Sequence, residues 1–407
     1  MEKQKVLISG ASIAGPVLAY WLHTYGFEVT IVEKASSVRL GGQNIDVNGP
    51  ARKIARLMGI EQAIQAANTG EIGTQWVDKH NQVKASFPRE GASSLTQELE
   101  IVRGDLVRIL YEKTRHHVAY RFNDQISQLA QDDRKAYVTF ASGYREEFDL
   151  VIAADGIRSK TRNLIFGNEP VFHYLGLCTA YLTIDKSETD SNWARWYTAD
   201  DSRMLLLRPD NEGTTRASIN FLLSEEEYEK LDRKNRKSIL LQRLAGAGWE
   251  ADRLAKEVEK SEDIYFDGVG QIKAPRWSVG RFAMVGDAAY CPAPITGKGT
   301  TLAFVGAYIL AGELASQPNY KEGFARYEQL MRPYVESVQK LPPGIPRLAY
   351  PKTAFGVRIV NTVAGLMASN IVQKIASVFS NSDSTEQDLL KGHPLPDYTT
   401  GFIPNLG

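Results

Sequence analysis

The stretch Lys5-Val6-Leu7-Ile8-Ser9-Gly10-Ala11-Ser12-Ile13-Ala14-Gly15 reads as a short apolar strand running into a glycine loop. The loop has G-x-G-x-x-G spacing, with Ser12 at the middle glycine. A helix is predicted over Ala11–Tyr25, with Ile13, Val17, Ala19, Tyr20 and Leu22 on its buried face and Gly26 ending it. Glu28–Glu33 follows as a second strand. Strand, helix and strand together make a βαβ unit of about 30 residues. Each loop residue has a physical task. Gly10 permits the tight turn, a small residue at Ser12 lets backbone approach a pyrophosphate, and Gly15 lets helix pack on strand. The first helical turn, at Ile13 and Ala14, offers free N–H groups and a positive dipole end to phosphates. Glu33, followed by Lys34, ends the second strand where an acid accepts hydrogen bonds from ribose hydroxyls. This predicts dinucleotide binding. The loop does not separate one dinucleotide from another, and a glycine-rich turn in an unrelated α/β fold has the same spelling.

Outward from that unit, Ala35 to Gly49 reads as loop and Ala51–Met58 as a helix. Gly73–Pro88 reads as strands around an Asp78–Asn81 turn, and Asp105–His116 as a helix introduced by Ile101-Val102-Arg103. Leu150–Ala154 is a buried strand ending in Asp155-Gly156. From Val171 to Leu223 the pattern changes to alternating runs (Thr179–Ile184, Arg203–Leu207, Ala217–Leu222), which predict a largely antiparallel sheet. Ser224–Gly246 reads as charged helix, Arg281–Gly286 as buried strand and Thr300–Leu314 as a long apolar helix. After the Pro342-Pro343-Gly344-Ile345-Pro346 break, one more amphipathic helix is predicted through Ile359, Val363, Leu366, Met367, Ile371, Ile375 and Phe379. No internal repeat is visible.

Bulk properties narrow the function class. The 407 residues exceed the about 100–200 of one ordinary domain. Lys+Arg and Asp+Glu are 48 each, so nothing electrostatic points to nucleic acid or an anionic membrane. Cys178 and Cys291 are too few and too far apart for a disulfide framework or zinc site, and the histidines show no ligand spacing, so no metal is expected. The N-terminal apolar run is too short for a signal peptide, and no stretch approaches ~18 uninterrupted apolar residues. A cytoplasmic monomer, not membrane-spanning, is expected.

Two further segments carry chemistry. Asp155-Gly156-Ile157-Arg158-Ser159-Lys160-Thr161-Arg162 sits at the end of a strand; alone it is a turn as readily as a site. Gly280 to Ala289 is an apolar strand ending in Gly286-Asp287, after which Pro292, Pro294, Gly297, Gly299 and Thr300 lead into the long helix. That helix start can present N–H groups to a carbonyl on which negative charge develops.

In this order, Gly-x-Gly-x-x-Gly, Asp-Gly-x-x-Ser-x-x-Arg and Gly-Asp-Ala resemble the class A single-component FAD-dependent monooxygenases, the para-hydroxybenzoate hydroxylase type, over about residues 1–340. Within that family the chain looks most like the tetracycline-inactivating monooxygenases, through Asp149–Ser159, Gly280–Pro294 and Leu302–Leu314. The resemblance implies an α/β fold: a Rossmann-like FAD-binding domain with a mixed-sheet substrate domain and a C-terminal helix. The expected boundaries are 1–170 for the FAD domain (72–100 contributing to the substrate domain), 171–274 for the substrate domain, 275–340 for the return segment and 341–407 for the C-terminal helical part. It implies that Gly10, Ser12, Ile13, Ala14, Gly15, Glu33 and Lys34 hold the ADP half of FAD. Arg103 would reach the ribityl-pyrophosphate, Asp287 the ribityl chain, and Pro294, Gly297, Gly299 and Thr300 the flavin ring. The Asp155 motif would support FAD and transient NADPH (or NADH) binding.

The resemblance also implies a reaction: NADPH reduces FAD, oxygen adds at C4a, and the hydroperoxide passes OH to a phenol or enol, such as a tetracycline-like antibiotic. The cofactor carries that chemistry, so no general base is named. Trp193, Arg195, Trp196, Arg208 and Asn220 are candidate substrate contacts, although aromatics and arginines on strands also simply pack and solvate. The chain departs from the family at Tyr290 (usually His), Lys298 (usually Gln), Thr301 (usually Asn) and Gly306 (usually Asp). Lys298 either places a cation near the reduced ring or faces solvent. The C-terminal helix is either a lid beside the substrate cavity or packed on the FAD domain. Other activities on the same fold are an FAD-dependent dehydrogenase or oxidase without oxygen insertion, and a flavin-containing protein that sequesters its ligand.

Overall fold

The computed structural model describes residues 3–90, 99–342, 344–369 and 395–398, and every statement of architecture refers to these. The apolar run Val6-Leu7-Ile8 forms β1 (Lys5–Ser9), flanked in parallel by β2 (Glu28–Glu33), with helix α1 (Ala14–Thr24) as the crossover. The predicted helix start at Ala11 is corrected by three residues, because Ala11 to Ile13 are spent on the turn. Then come β3 (Asn44–Asp46), α2 (Gly49–Leu57), α3 (Glu61–Ala66), β4 (Gly73–Val77), β5 (Val83–Pro88), β6 (Glu100–Val102) and α4 (Arg103–Thr114). β7 (Ala119–Phe122) pairs with β2. A three-stranded antiparallel sheet of β8 (Ile126–Gln131), β9 (Ala136–Phe140) and β10 (Arg145–Phe148) precedes β11 (Leu150–Ala153) and α5 (Lys160–Phe166).

A second sheet follows in sequence. It uses β12 (Val171–Asp185), β13 (Trp193–Ala199), β14 (Arg203–Pro209) and β15 (Thr214–Leu222), then α6 (Glu225–Glu229), α7 (Arg236–Leu244), α8 (Ala251–Lys260) and β16 (Tyr265–Lys273). The charged stretch Ser224–Gly246 is helical, as expected, and divides into α6 and α7. Ser224 closes a capping box on the first, and Asp232 begins a separate short turn between them. The chain then returns through β17 (Ser278–Val279), β18 (Phe282–Met284), α9 (Asp287–Tyr290), α10 (Gly299–Ser316) and α11 (Tyr320–Gln339), and ends its described helices with α12 (Ala354–Met367).

The first sheet has the order β17-β18-β11-β1-β2-β7. β11 and β18 arrive from distant sequence but lie parallel to β1, with Ile8 beside Ile152 and Ile152 beside Ala283. All three strands therefore end at the same edge, which brings Gly10, Asp155 and Gly286 together. The strands read as continuous apolar runs because both faces are covered. The small β8–β10 sheet covers one face with Phe140, Phe148 and Val138 over Leu7, Val32 and Val151. Helices α1, α10 and α11 cover the other. By length and composition α10 could cross a membrane, yet 83% of its apolar window is buried inside the fold.

The second sheet has the order β16-β12-β15-β14-β13-β4-β5, so two strands from residues 73–88 complete a sheet made mostly after residue 171. One face carries Cys178, Ala180, Leu182, Tyr197, Leu205, Leu207, Ile219 and Phe221 against α7 and α8. Strand geometry turns the alternate residues to the opposite face, toward the first domain. There, Leu177, Met204 and Val269 pack with Ala293 of the return segment and with Tyr350. α12 seats Ala364 on Ala85 and Phe87 of β5, beside Trp76. The C-terminal helix thus rides on the open face of the second sheet and not on the first domain. Its predicted continuation through Ile371, Ile375 and Phe379 lies outside the described residues.

Candidate functional site

Gly10 has φ +112°, and a Cβ there would lie 2.6 Å from the Ala154 carbonyl, so only glycine fits where β1 turns beside β11. Its N–H donates to Val32 O at 2.8 Å, which fixes the loop to β2. α1 starts without help from a side chain: Ile13 is the N-cap and makes no capping bond. Orphan N–H groups at a helix start call for an anion, and here they open at the strand edge. Glu33, at the end of β2, accepts from Ala11 N at 3.0 Å and Ala35 N at 3.1 Å, so its carboxylate stands beside the loop. Arg103, the first residue of α4, donates to Ser12 Oγ at 2.6 Å. Burial and Arg39 pull its guanidinium down, while Asp287 holds it up. Lys34 lies exposed just beyond β2.

Asp287 opens α9, and its side chain is solvent-accessible. Even so, the surrounding protein pushes its carboxyl up, opposed by the Cys291 thiol and by Arg103. A group both wetted and deeply surrounded lines a groove, which here runs from the Gly10 loop past Arg103 to the start of α10. At that end Ala293 adopts φ +76°, a left-handed conformation that β-carbon sterics disfavour. Pro294–Thr296 make a short turn, and Gly297 bends left-handed into Lys298, the N-cap of α10, which makes no side-chain capping bond. The N–H groups of Gly299, Thr300 and Thr301 are left at a second open helix start. Two uncapped helix N-termini, an arginine and a carboxylate along one groove suit a long ligand with a phosphate centre and an electron-rich ring. These residues fit FAD.

Asp155 sits at the same strand edge but is engaged within the chain: one oxygen accepts from Ser159 Oγ, the other from Thr161 N at 3.2 Å. Ser159 in turn caps α5 at Arg162 N, 2.8 Å away, and Arg162 Nη1 reaches Ala288 O at 3.1 Å. The motif therefore braces the β11 and β18 ends against each other. Arg158 reaches the second sheet, with its Nε 2.9 Å from Asp267 Oδ2.

Cross-strand register sorts the five candidate substrate residues. Tyr181, Ser218, Leu206, Trp196 and Trp76 form one row across β12, β15, β14, β13 and β4, and Thr179, Asn220 and Met204 form the next. Arg208 stands opposite Arg216 in a third row. Trp196, Arg208 and Asn220 are thus together on the face toward the groove. Arg195 is corrected: it alternates to the other face, is 4% exposed, and pairs with Asp190 at 2.5 Å. Trp193 shares its parity and packs over Gly73 at the strand start. Residues missed from sequence complete the floor: Trp76, stacked 5.0 Å from Trp196 with planes 9° apart, Tyr181, and Tyr350 from the C-terminal segment. Pro351 and Lys352 carbonyls accept from Ser202 and Asp201 N–H, which secures that segment to the β13–β14 tip. Single residues gave no signal for this floor; only the alternation of five aligned strands reveals it.

Of the family departures, Tyr290 and Gly306 lie in the core, and Thr301 Oγ1 lies 3.2 Å from Asn48 Oδ1 at the joint with α2. Lys298 is half-buried, and its charge acts on Asp46.

Comparison with known proteins gives a consistent picture. A family model described as "FAD binding domain" matches residues 3–340. The chain is 34% identical over 421 residues to the flavin-dependent monooxygenase eupH of Phoma sp, covering 95% of this chain and 97% of that one. It is 38% identical over 345 residues to a flavin-dependent monooxygenase of Legionella longbeachae, covering 83% and 87%. Among solved structures, the tetracycline destructase Tet(55) aligns with TM-score 0.79 and 32% identity over 97% of this chain and 99% of that one.

Proposed function

We propose, from the premise that this chain belongs to the FAD binding domain family and is an FAD-dependent monooxygenase, that it uses NAD(P)H to hydroxylate a phenolic or enolic polycyclic compound of the tetracycline kind. The observation that carries this reading is the aromatic floor of Trp76, Trp196, Tyr181 and Tyr350, set across the groove from the start of α10. A flat, wide, aromatic surface with Arg208 and Asn220 at its edges suits a fused-ring ligand bearing oxygen substituents. FAD, when bound, supplies hydride acceptance and oxygen activation.

The chain's own residues do the rest. The α1 N-terminus and Arg103 hold the phosphates, and Glu33 holds the ribose end. Asp287 and the α10 N-terminus orient the ring, and the positive end of α10 favours negative charge on it. α12 covers the Trp76 end of the floor and excludes water from it.

Anaerobic mixing with NADPH, and separately with NADH, tests the reading. Bleaching of the flavin that is accelerated by a polycyclic phenol is expected, followed in air by a product heavier by one oxygen atom. A flavin that never bleaches with any aromatic ligand would sink the reading. Bleaching with a product of unchanged oxygen content would assign a dehydrogenase or oxidase instead.

A further inference from the structure

Charged side chains from four distant parts of the chain meet at the Arg208 end of the floor. β3 and β6 pair antiparallel with Asp46 directly opposite Glu100. Directly opposed residues share one face of a ribbon, and like charges there repel. Arg208 comes down on them from β14. Its Nε lies 2.8 Å from Glu71 Oε2, and its Nη2 lies 3.1 Å from Glu71 Oε1 and also donates to Glu100. Thr69 Oγ1 at 2.5 Å and Asn44 Nδ2 at 2.9 Å add donors to Glu100 Oε1. Lys298, the N-cap residue of α10, is near enough for its charge to act on Asp46, and Tyr181 on β12 shares the sheet face of Arg208. Glu71 and Glu100 are fully buried, whereas Asp46 is only partly buried and is the open member.

Holding β3–β6 to β14 would need one carboxylate for one guanidinium, and here there are three carboxylates against Arg208 and the more distant Lys298. Excess negative charge in a poorly solvated site is relieved by taking up protons, and interacting carboxylates share them. Burial accordingly raises both Asp46 and Glu100, with Arg208 opposing. Independently, Asn44 Oδ1 is buried in the cluster with no hydrogen-bond donor among the described residues. Asn44 spends its Nδ2 on Glu100 and on Pro209 O, which leaves its Oδ1 as an open acceptor in the cluster.

We propose that Asp46, coupled to Glu100 across the β3–β6 pair and to Arg208, accepts the hydroxyl proton of a phenol or enol bound on the floor. The inference rests on reading that floor as the substrate site. In the step, the substrate O–H bond breaks, a new O–H bond forms on an Asp46 carboxylate oxygen, and the electron pair stays on the substrate oxygen. Negative charge moves from carboxylate to substrate without changing the total. Arg208, relieved of part of its counter-charge, faces the new oxyanion. An ionised oxygen feeds electron density into the ring carbon that is to be attacked. Glu100 and Glu71 are positioning residues that set the proton affinity of Asp46.

The test is a proton inventory on oxidised holoenzyme, without reductant. A chromogenic nitrophenol whose ordinary pKa lies above the working pH is bound in weak buffer, and protons released per bound probe are counted alongside its absorbance. Wild type is expected to show the phenolate band with close to zero protons released. D46N is expected to release close to one proton per phenolate bound, or to hold the probe as neutral phenol. E100Q, which keeps Asp46, should fall between. A neutral probe in wild type, or equal proton counts in wild type and D46N at matched occupancy, would overturn the proposal. A probe that fails to bind overturns both the proposal and the floor as the site. An intact inventory in an enzyme whose flavin NADPH cannot bleach sinks only the monooxygenase reading.

Discussion

The Tyr290 hydroxyl occupies the place where a Cβ on Gly306 would fall, and it lies 3.0 Å from the Tyr327 hydroxyl, itself 3.1 Å from Met284 O. The two departures from the family pattern are therefore one packing solution: a tyrosine at 290 demands the missing side chain at 306. G306A should cost about 1–3 kcal/mol by overpacking. Adding Y290F should recover part of that loss, and denaturant midpoints of the single and double variants would check it. Glu100 makes a different prediction. Its carboxyl is pushed up to about 7, chiefly by burial. Between the ordinary carboxylate range and that value the folded state binds protons that the unfolded chain does not, so this residue's contribution weakens as pH rises. E100Q should flatten the fall in stability between pH about 5 and about 8 relative to wild type. Parallel slopes for the two proteins would contradict the assignment.

Elements differ in how plainly the sequence announces them. β1, the glycine loop, α1 and β2 are legible because their signals are local: an apolar run, a glycine that must take φ +112°, and an acid one strand later. The open-face floor is not legible, because a residue's side of the sheet depends on the register of partners far along the chain. Arg195 and Trp196 are neighbours in sequence and lie on opposite faces. The acidic cluster was equally hidden, since residues 46, 71, 100 and 208 carry no shared spacing. The division between α6 and α7 is not legible either, because charge patterning marks helical surface without marking where one helix ends and the next begins. For α12 the structure supplies what its amphipathic pattern could not, namely the surface it sits on. A364D, which puts a charge against Ala85 and Phe87, should lift α12 from the floor. The expected result is weaker substrate binding, read as a raised KM, with FAD retention unchanged; loss of FAD would instead tie α12 to the first domain.

For the whole molecule, the two sheets are joined near the groove by Arg158 from the first domain and Asp267 from the second, with Tyr228 sharing both. D267N should loosen that join, and hydrogen exchange should quicken in β16 and α5 while β1 and β2 stay protected. Uniform quickening across both sheets would mean that Asp267 supports folding at large. The strand order of the first sheet carries a further consequence, for the order of synthesis. β1 is flanked by β11, and β11 by β18, which begins at residue 282. Between them the whole second sheet is threaded, and that sheet itself recruits β4 and β5 from residues 73–88. The first sheet thus cannot close until the second has emerged from the ribosome, while β4 and β5 wait for β13 to pair with them. Such nested, long-range pairing folds slowly and leaves edges exposed meanwhile. The glycine loop is made first, yet the groove beside it is finished only when Gly286 and Asp287 arrive, so cofactor capture should be a late event in the life of the nascent chain.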